Sequence, residues 1–374
     1  MKNKLKHSLI ALLSVAMISS CSKEDDEVKK EETNTTPTIE TNSPPSGNYY
    51  TGILYGDIHA YPVWTADFVT FNKFTTQFES QNVSRVKVEN DTVLITYSDI
   101  HQLNYIAYAP VNALNNFKVI SSSEPISEFS ILNGIIIVYA VDGLNKYTGY
   151  CNLNLGMSSI QYGSVLSSTV EFSDFVNTGS AIIANHNNNS AYKMAYTTDG
   201  MTWNIPGTID GGRFEVFGGK TWRFSALKYE YTTDTDLSSA TWNTTILHQD
   251  SLNTTDTSGS FSESYLDVNS ASSWRSYGRI NNGGASFPAL NTTTDQGLTW
   301  HTQLLTSIPN VNDNSYLDGQ YFTINSLTIW NNNNTNYSFP IGVYTATNGV
   351  DFTFDNSQAT IDRFNRFRHS KFVR

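Results

Sequence analysis

The stretch Thr293, Thr294, Asp295, Gln296, Gly297, Leu298, Thr299, Trp300 constrains the fold more than any other, because it is a complete turn and it recurs. An Asp carboxylate can accept bonds from backbone N–H groups and a neighbouring hydroxyl, which closes a tight hairpin. Glycine supplies the positive φ that such a turn needs. The aromatic at the end folds back as an apolar plug. A form one residue shorter reads Thr197, Thr198, Asp199, Gly200, Met201, Thr202, Trp203. Weaker echoes lie at 65–71, 232–242 and 345–352, the last with Asn348 and Gly349 at its turn, and the most degenerate at 112–117 and 154–160. The closing positions Phe71, Phe117, Ile160, Trp203, Trp242, Trp300 and Phe352 follow one another at intervals of 39 to 58 residues. One sheet of about four strands fits each interval.

Between the turns the chain abounds in Tyr, Phe, Thr, Val and Ile, and runs such as 93–97 and 135–141 read as strands bounded by Asn and Gly. No convincing helical stretch follows residue 48. Residues 48–374 are more than one simple core usually holds unless the architecture repeats. The expected fold is therefore all-β, a β-propeller of seven sheets with six as the near alternative. A β-sandwich is the runner-up, but its turns need no recurring motif. Residues 367–373 are expected to supply the inner strand of the sheet begun at 52–56, since closing the ring removes exposed edges.

The recurring turn resembles the Asp-box of the sialidase-repeat (BNR) superfamily. That resemblance implies a propeller in which the boxes join strands 3 and 4 of each sheet and have structural roles only. The functional face is then the opposite end, where strand 1 starts and strand 2 finishes. Reading the inner hairpins this way collects Asp57 and His59, Asp99 and His101, Asp142, Asn185 and His186, and Glu263 with Arg279. Of these, Asp57, His59, Asp99, His101 and His186 are the expected binding residues. Glu263 and Arg279 are the catalytic candidates, because in sialidases a Glu opening one inner strand acts with a tyrosine, and an Arg some sixteen residues later clamps the substrate carboxylate. Arginine suits that task through its planar bidentate fork. The chain departs from the sialidase pattern elsewhere. No Arg lies between residues 48 and 80, residues 331–339 read NNNNTNYSF, and no late Tyr-Ser nucleophile segment is evident.

The amino end addresses the chain to a membrane surface. Lys2, Lys4 and Lys6 precede a short apolar run at 9–18, about half of what a spanning helix needs. The sequence Ile18, Ser19, Ser20, Cys21 resembles a bacterial lipobox, which implies removal of residues 1–20 and acylation of Cys21. The acidic run at 22–27 resembles the surface-export tag of lipoproteins from glycan-foraging Gram-negative bacteria, implying an outer-membrane protein facing outward. Residues 21–47 read as a disordered tether, poor in large apolar residues. With Cys21 acylated, Cys151 has no partner and reads as a small buried hydrophobe. No cysteine-type metal site, phosphate-binding Gly loop or HExxH is present, and no metal or cofactor is expected.

Three of the 23 bases and none of the 34 acids precede Cys21, so the remainder holds 20 bases against 34 acids. That balance disfavours nucleic acid as a partner. The expected partner is an extracellular glycan, an acidic one included, with the membrane reached through the lipid and the protein a monomer. The leading function is glycan binding or assistance in glycan processing. The alternatives are a glycoside hydrolase or polysaccharide lyase without the full sialidase arginine set, and a propeller for protein–protein contact.

Overall fold

A Thr-x-Asp turn carries its own hydrogen-bond partners, so it forms wherever two strands of a hairpin meet it. In the computed structural model these turns follow the third strand of their sheet and, except in the three-stranded fourth sheet, lead to a fourth strand. Residues 293–299 link Ala285–Thr293 to Thr299–Leu304, and residues 65–71 link Ala60–Thr65 to Phe71–Lys73. The bonds repeat from turn to turn. Thr293 Oγ1 donates to Asp295 Oδ1 at 2.7 Å, and the Thr299 amide donates to the same oxygen at 2.9 Å. In the second turn Thr197 donates to Asp199 at 3.0 Å and the Thr202 amide at 2.7 Å; in the first, the Thr70 amide donates to Asp67 at 2.7 Å. Gly297 and Gly200 both have φ +80°, while Phe68 takes φ +57° at the corresponding bend without a glycine. The degenerate echo at 154–160 occupies the same connection with other geometry, a 3-10 turn over Leu153–Leu155 capped by the Asn152 side chain.

The described residues are 39–41, 43–45, 49–55, 60–68, 70–78, 81–188, 191–207, 209–224, 229–248, 260–268, 274–282, 285–305, 319–324, 327–332, 342–355 and 367–373. Cys21, Asp57 and His59 lie outside them. Among the described residues there are seven sheets, each an antiparallel meander apart from parallel outer strands on two of them. The first sheet is built from both ends of the chain: Phe367–Val373 pairs antiparallel along Tyr49–Tyr55, as the sequence led us to expect. Ile39–Thr41, within the stretch read as tether, adds to the outer edge of that sheet by pairing parallel with Phe71–Lys73. An edge strand of this kind needs main-chain partners rather than a core of its own.

The core lies between sheets. Tyr49, Ile53 and Trp64 of the first sheet pack on Val83, Val86 and Ile95 of the second. Leu94, Ile106 and Ile120 on its other side meet Phe129, Ile136 and Cys151 of the third. Trp222 and Phe224 of the fifth meet Trp274 and Trp300 of the sixth. Second strands touch a neighbour on both faces, so 93–96 and 136–140 are buried without interruption. Cys151 is free and fully buried, and burial pushes its thiol up to about 11.

Candidate functional site

Each sheet has its first strand at one edge, and the first strands of several neighbouring sheets touch one another. Asn82–Glu89, Ile126–Leu132 and Val170–Asn177 are such edges in the second, third and fourth sheets. Val170–Asn177 lies against Ile126–Leu132 on one side and against Arg213–Phe217 of the fifth sheet on the other. Arg85 pairs with Glu128, Lys87 donates to Glu128 and to the Phe129 carbonyl, and Glu89 accepts from Ser130 and the Ile131 amide. The numbers rise together on both strands, so the two run in the same direction and start at one end.

The first strands, with Asn185 of the second strand Ile182–Asn188 in the fourth sheet, carry a row of charged and amide groups. Glu128 is sunk, with 10% of its side chain exposed, and takes the Arg85 guanidinium on one oxygen and the Lys87 ammonium on the other at 3.1 Å. Arg85 keeps 42% of its side chain exposed, against 10% for Glu128. Burial lowers the Arg85 pKa and the charge of Asp174 works the other way. Asp174 has φ +56° at a bulge in Val170–Asn177, which turns an exposed carboxylate out of the ladder. It accepts from Asn185 Nδ2 at 3.0 Å and Ser173 Oγ at 3.1 Å, and Asn185 Oδ1 accepts from the Gly212 amide at 2.9 Å. The row ends on Arg213, bonded to Glu215 at 3.0 Å. Donors and acceptors both occur along it, a mixture that a polyhydroxylated ligand can satisfy.

The residues expected to form a funnel are placed as follows. Asp99 follows the second strand of its sheet, but its carboxylate serves its own loop: the His101 and Leu103 amides donate to it at 2.9 Å and the Tyr105 hydroxyl at 3.3 Å. Burial tends to raise its pKa, and these bonds with the nearby His101 outweigh that and hold it below the usual carboxylate range. His101 is exposed at the tip. Asp142 is exposed at the turn to Asn145 in the third sheet. His186 is buried on Ile182–Asn188 with its ring 5.1 Å from that of Phe172, and burial lowers its pKa. The strands of Glu263 and Arg279 pair antiparallel, Glu263 opposite Gly278 and Arg279 opposite Ser262, one step apart in register. The side chains of both lie outside what is described.

Arg85, Lys87, Glu128 and Asp174 escaped the sequence reading. Their signal was present, since 85, 87 and 89 are charged at every second position of one strand, and 128 and 130 polar at every second position of the next. Among the described residues no group of three or more His, Cys, Asp or Glu is placed to hold a metal.

The sequence matches no protein-family model and no curated protein. Solved structures do resemble the fold. A post-proline cleaving enzyme from Rickettsia typhi is 11% identical, with 86% of this chain and 53% of that one aligned and a TM-score of 0.50. TolB from Acinetobacter baumannii is 11% identical over 68% of this chain and 66% of its own, with a TM-score of 0.39. An ulvan lyase of polysaccharide lyase family PL25 is 10% identical over 82% and 85%, with a TM-score of 0.38. The chain spans about half the length of the Rickettsia enzyme. At such identity the likeness bears on fold alone, and the fold is a β-propeller.

Proposed function

We propose that this chain is an Asp-box propeller of the sialidase-repeat type, lipid-anchored through Cys21 at the outer face of the outer membrane, that captures extracellular glycans at the open end of its inner strands. The observation that carries the binding reading is the row Arg85, Glu128, Asp174 and Asn185, drawn from three sheets, in which the buried Glu128 and Asn185 hold the half-exposed Arg85 guanidinium and the exposed Asp174 carboxylate. Carboxylate and amide oxygens accept from sugar hydroxyls, and a guanidinium donates to hydroxyl pairs or to a uronate. Glu263 and Arg279 belong to the same end in this reading and would extend the surface to the sixth sheet.

A glycan array followed by titration calorimetry tests the reading. Arg85→Lys keeps the charge but not the fork, and should weaken the best array hit about tenfold with an unchanged melting temperature. No hit on neutral or acidic glycans, or hits indifferent to Arg85→Lys and Glu128→Gln, would remove it. The anchor is tested separately: Cys21→Ser should leave the chain unlabelled by fatty acid and released from the membrane fraction.

A further inference from the structure

A cleft of about 560 Å³ opens between the second and third sheets, at the end where the Asp turns lie. It lies towards the opposite ends of the first strands from the charged row, walled by first-to-second and third-to-fourth connections rather than by the starts of the first strands. Tyr108, Ile131 and Leu153 give it an apolar wall, and Asn90, Asn116 and Lys118 bring polar groups to it. Its shape is set by the sequence. Asn133 and Gly134 turn the chain at φ +50° and +78°, and the Asn154 amide lies on Gly134 and donates to the Asn133 carbonyl at 2.9 Å. A Cβ at Gly134 would fall 2.7 Å from that amide, so the floor holds only with glycine there.

The polar groups are not spent on the protein. Among the described residues the Lys118 ammonium makes no ion pair or hydrogen bond, and neither the Tyr108 hydroxyl nor the Asn90 and Asn116 side-chain amides have a partner. Burial raises the pKa of Tyr108, followed by the influence of Cys151, so its hydroxyl stays a donor at neutral pH. A concave, mostly apolar cleft of this size with a few unspent polar groups has the build of a small-molecule site. One cation at the mouth over an apolar wall asks for one anionic group on a compact body, and two amides beside it can accept and donate to further polar atoms.

We propose that this cleft is a second binding site, for a small molecule that joins one carboxylate to a six-membered ring. The carboxylate meets Lys118, and the ring lies against Tyr108 and Leu153 with its edge towards Asn90 and Asn116. The shared chemistry has two sources, an aryl carboxylate or a uronate sugar, and the proposal does not depend on the glycan reading of the open end.

The test is ligand-observed NMR on the full chain with phenylacetate and with glucuronate, each beside its uncharged counterpart, phenylacetamide and glucose. Saturable binding of at least one carboxylate is expected with a Kd on the order of 1 mM, about tenfold tighter than its uncharged counterpart. Phenylacetate alone would make the site an aryl carboxylate site, and glucuronate alone a uronate site. Lys118→Gln should weaken binding about tenfold, Lys118→Arg should restore it, and Ala113→Phe, which fills the cleft, should abolish it. Arg85→Lys should leave it unchanged, which separates failure here from failure at the open end. Lys118 is exposed, so its variants keep the wild-type melting temperature. No saturable binding of either carboxylate, equal binding of the uncharged counterparts, or indifference to Lys118→Gln would overturn the proposal.

Discussion

Gly297 in the turn after the third strand of the sixth sheet has φ +80°, and a methyl placed there would lie 2.4 Å from both Trp222 and Trp274. Gly143, in the turn at the opposite end of the third sheet, has φ +60° and nothing within 4 Å. Both are turn glycines with the same backbone demand, and only one is packed. Between the fifth and sixth sheets the Asp-turn end seals the gap, with Trp300 donating to the Gly297 carbonyl at 3.0 Å beneath Trp222 and Trp274. At the Gly143 turn the other end is open. At these two turns, stability is concentrated at the Asp-turn end and the glycan recognition proposed above lies at the other.

The largest test of that division compares the two glycines. Gly297→Ala adds a backbone conformation worth about 1–2 kcal/mol to overpacking of about 1–3 kcal/mol, so a loss of about 3 kcal/mol is expected. Gly143→Ala carries only the backbone part, about 1 kcal/mol. Denaturant unfolding of both variants reads the difference, and equal losses would erase the distinction between the ends. Next comes Asp295→Ala, which strands the Thr299 amide and should cost about 1–3 kcal/mol while glycan binding by the folded fraction stays as before. Loss of binding at an unchanged melting temperature would move function to the Asp-turn end. Arg85→Lys is the mirror case, with binding lost about tenfold and stability kept.

What could be read in advance follows the same divide. The turns at 197–203 and 293–300 are legible because donor, acceptor and glycine lie within eight residues. Closure by Phe367–Val373 is legible because an unpaired first strand needs a partner and the last apolar run supplies one. Arg85 and Glu128 stand 43 residues apart and meet only through the packing of two sheets, which spacing within one hairpin cannot disclose. Asp99 taught the converse. Its position on the open end was read as a site, although an Asp two residues before an amide on an exposed loop is also the recipe for an Asx turn, and the structure uses it so.

The smallest effect expected is the response of the Asp turns to acid. Burial tends to raise the pKa of Asp295, but the Thr299 amide, the Thr293 and Thr299 hydroxyls and the Leu298 amide bring it below the ordinary carboxylate range. Asp199 behaves alike, with burial opposed by the Thr202 and Met201 amides and the Thr197 and Thr202 hydroxyls. A carboxyl whose folded pKa is depressed contributes stability that is complete above its unfolded value, about 3.9, and is lost as pH falls through the folded value. The melting temperature should thus fall from about pH 4 downwards. Asp199→Asn with Asp295→Asn keeps an oxygen to accept from the amides but removes the proton uptake, so the double variant should melt lower at pH 7 and lose less on acidification. Asp99→Asn should flatten the acid response less, because it removes one carboxyl with a depressed pKa and the double variant removes two. An acid response that Asp99→Asn removes and the double variant leaves intact would place the titrating stability at the open end, against the division argued from the two glycines.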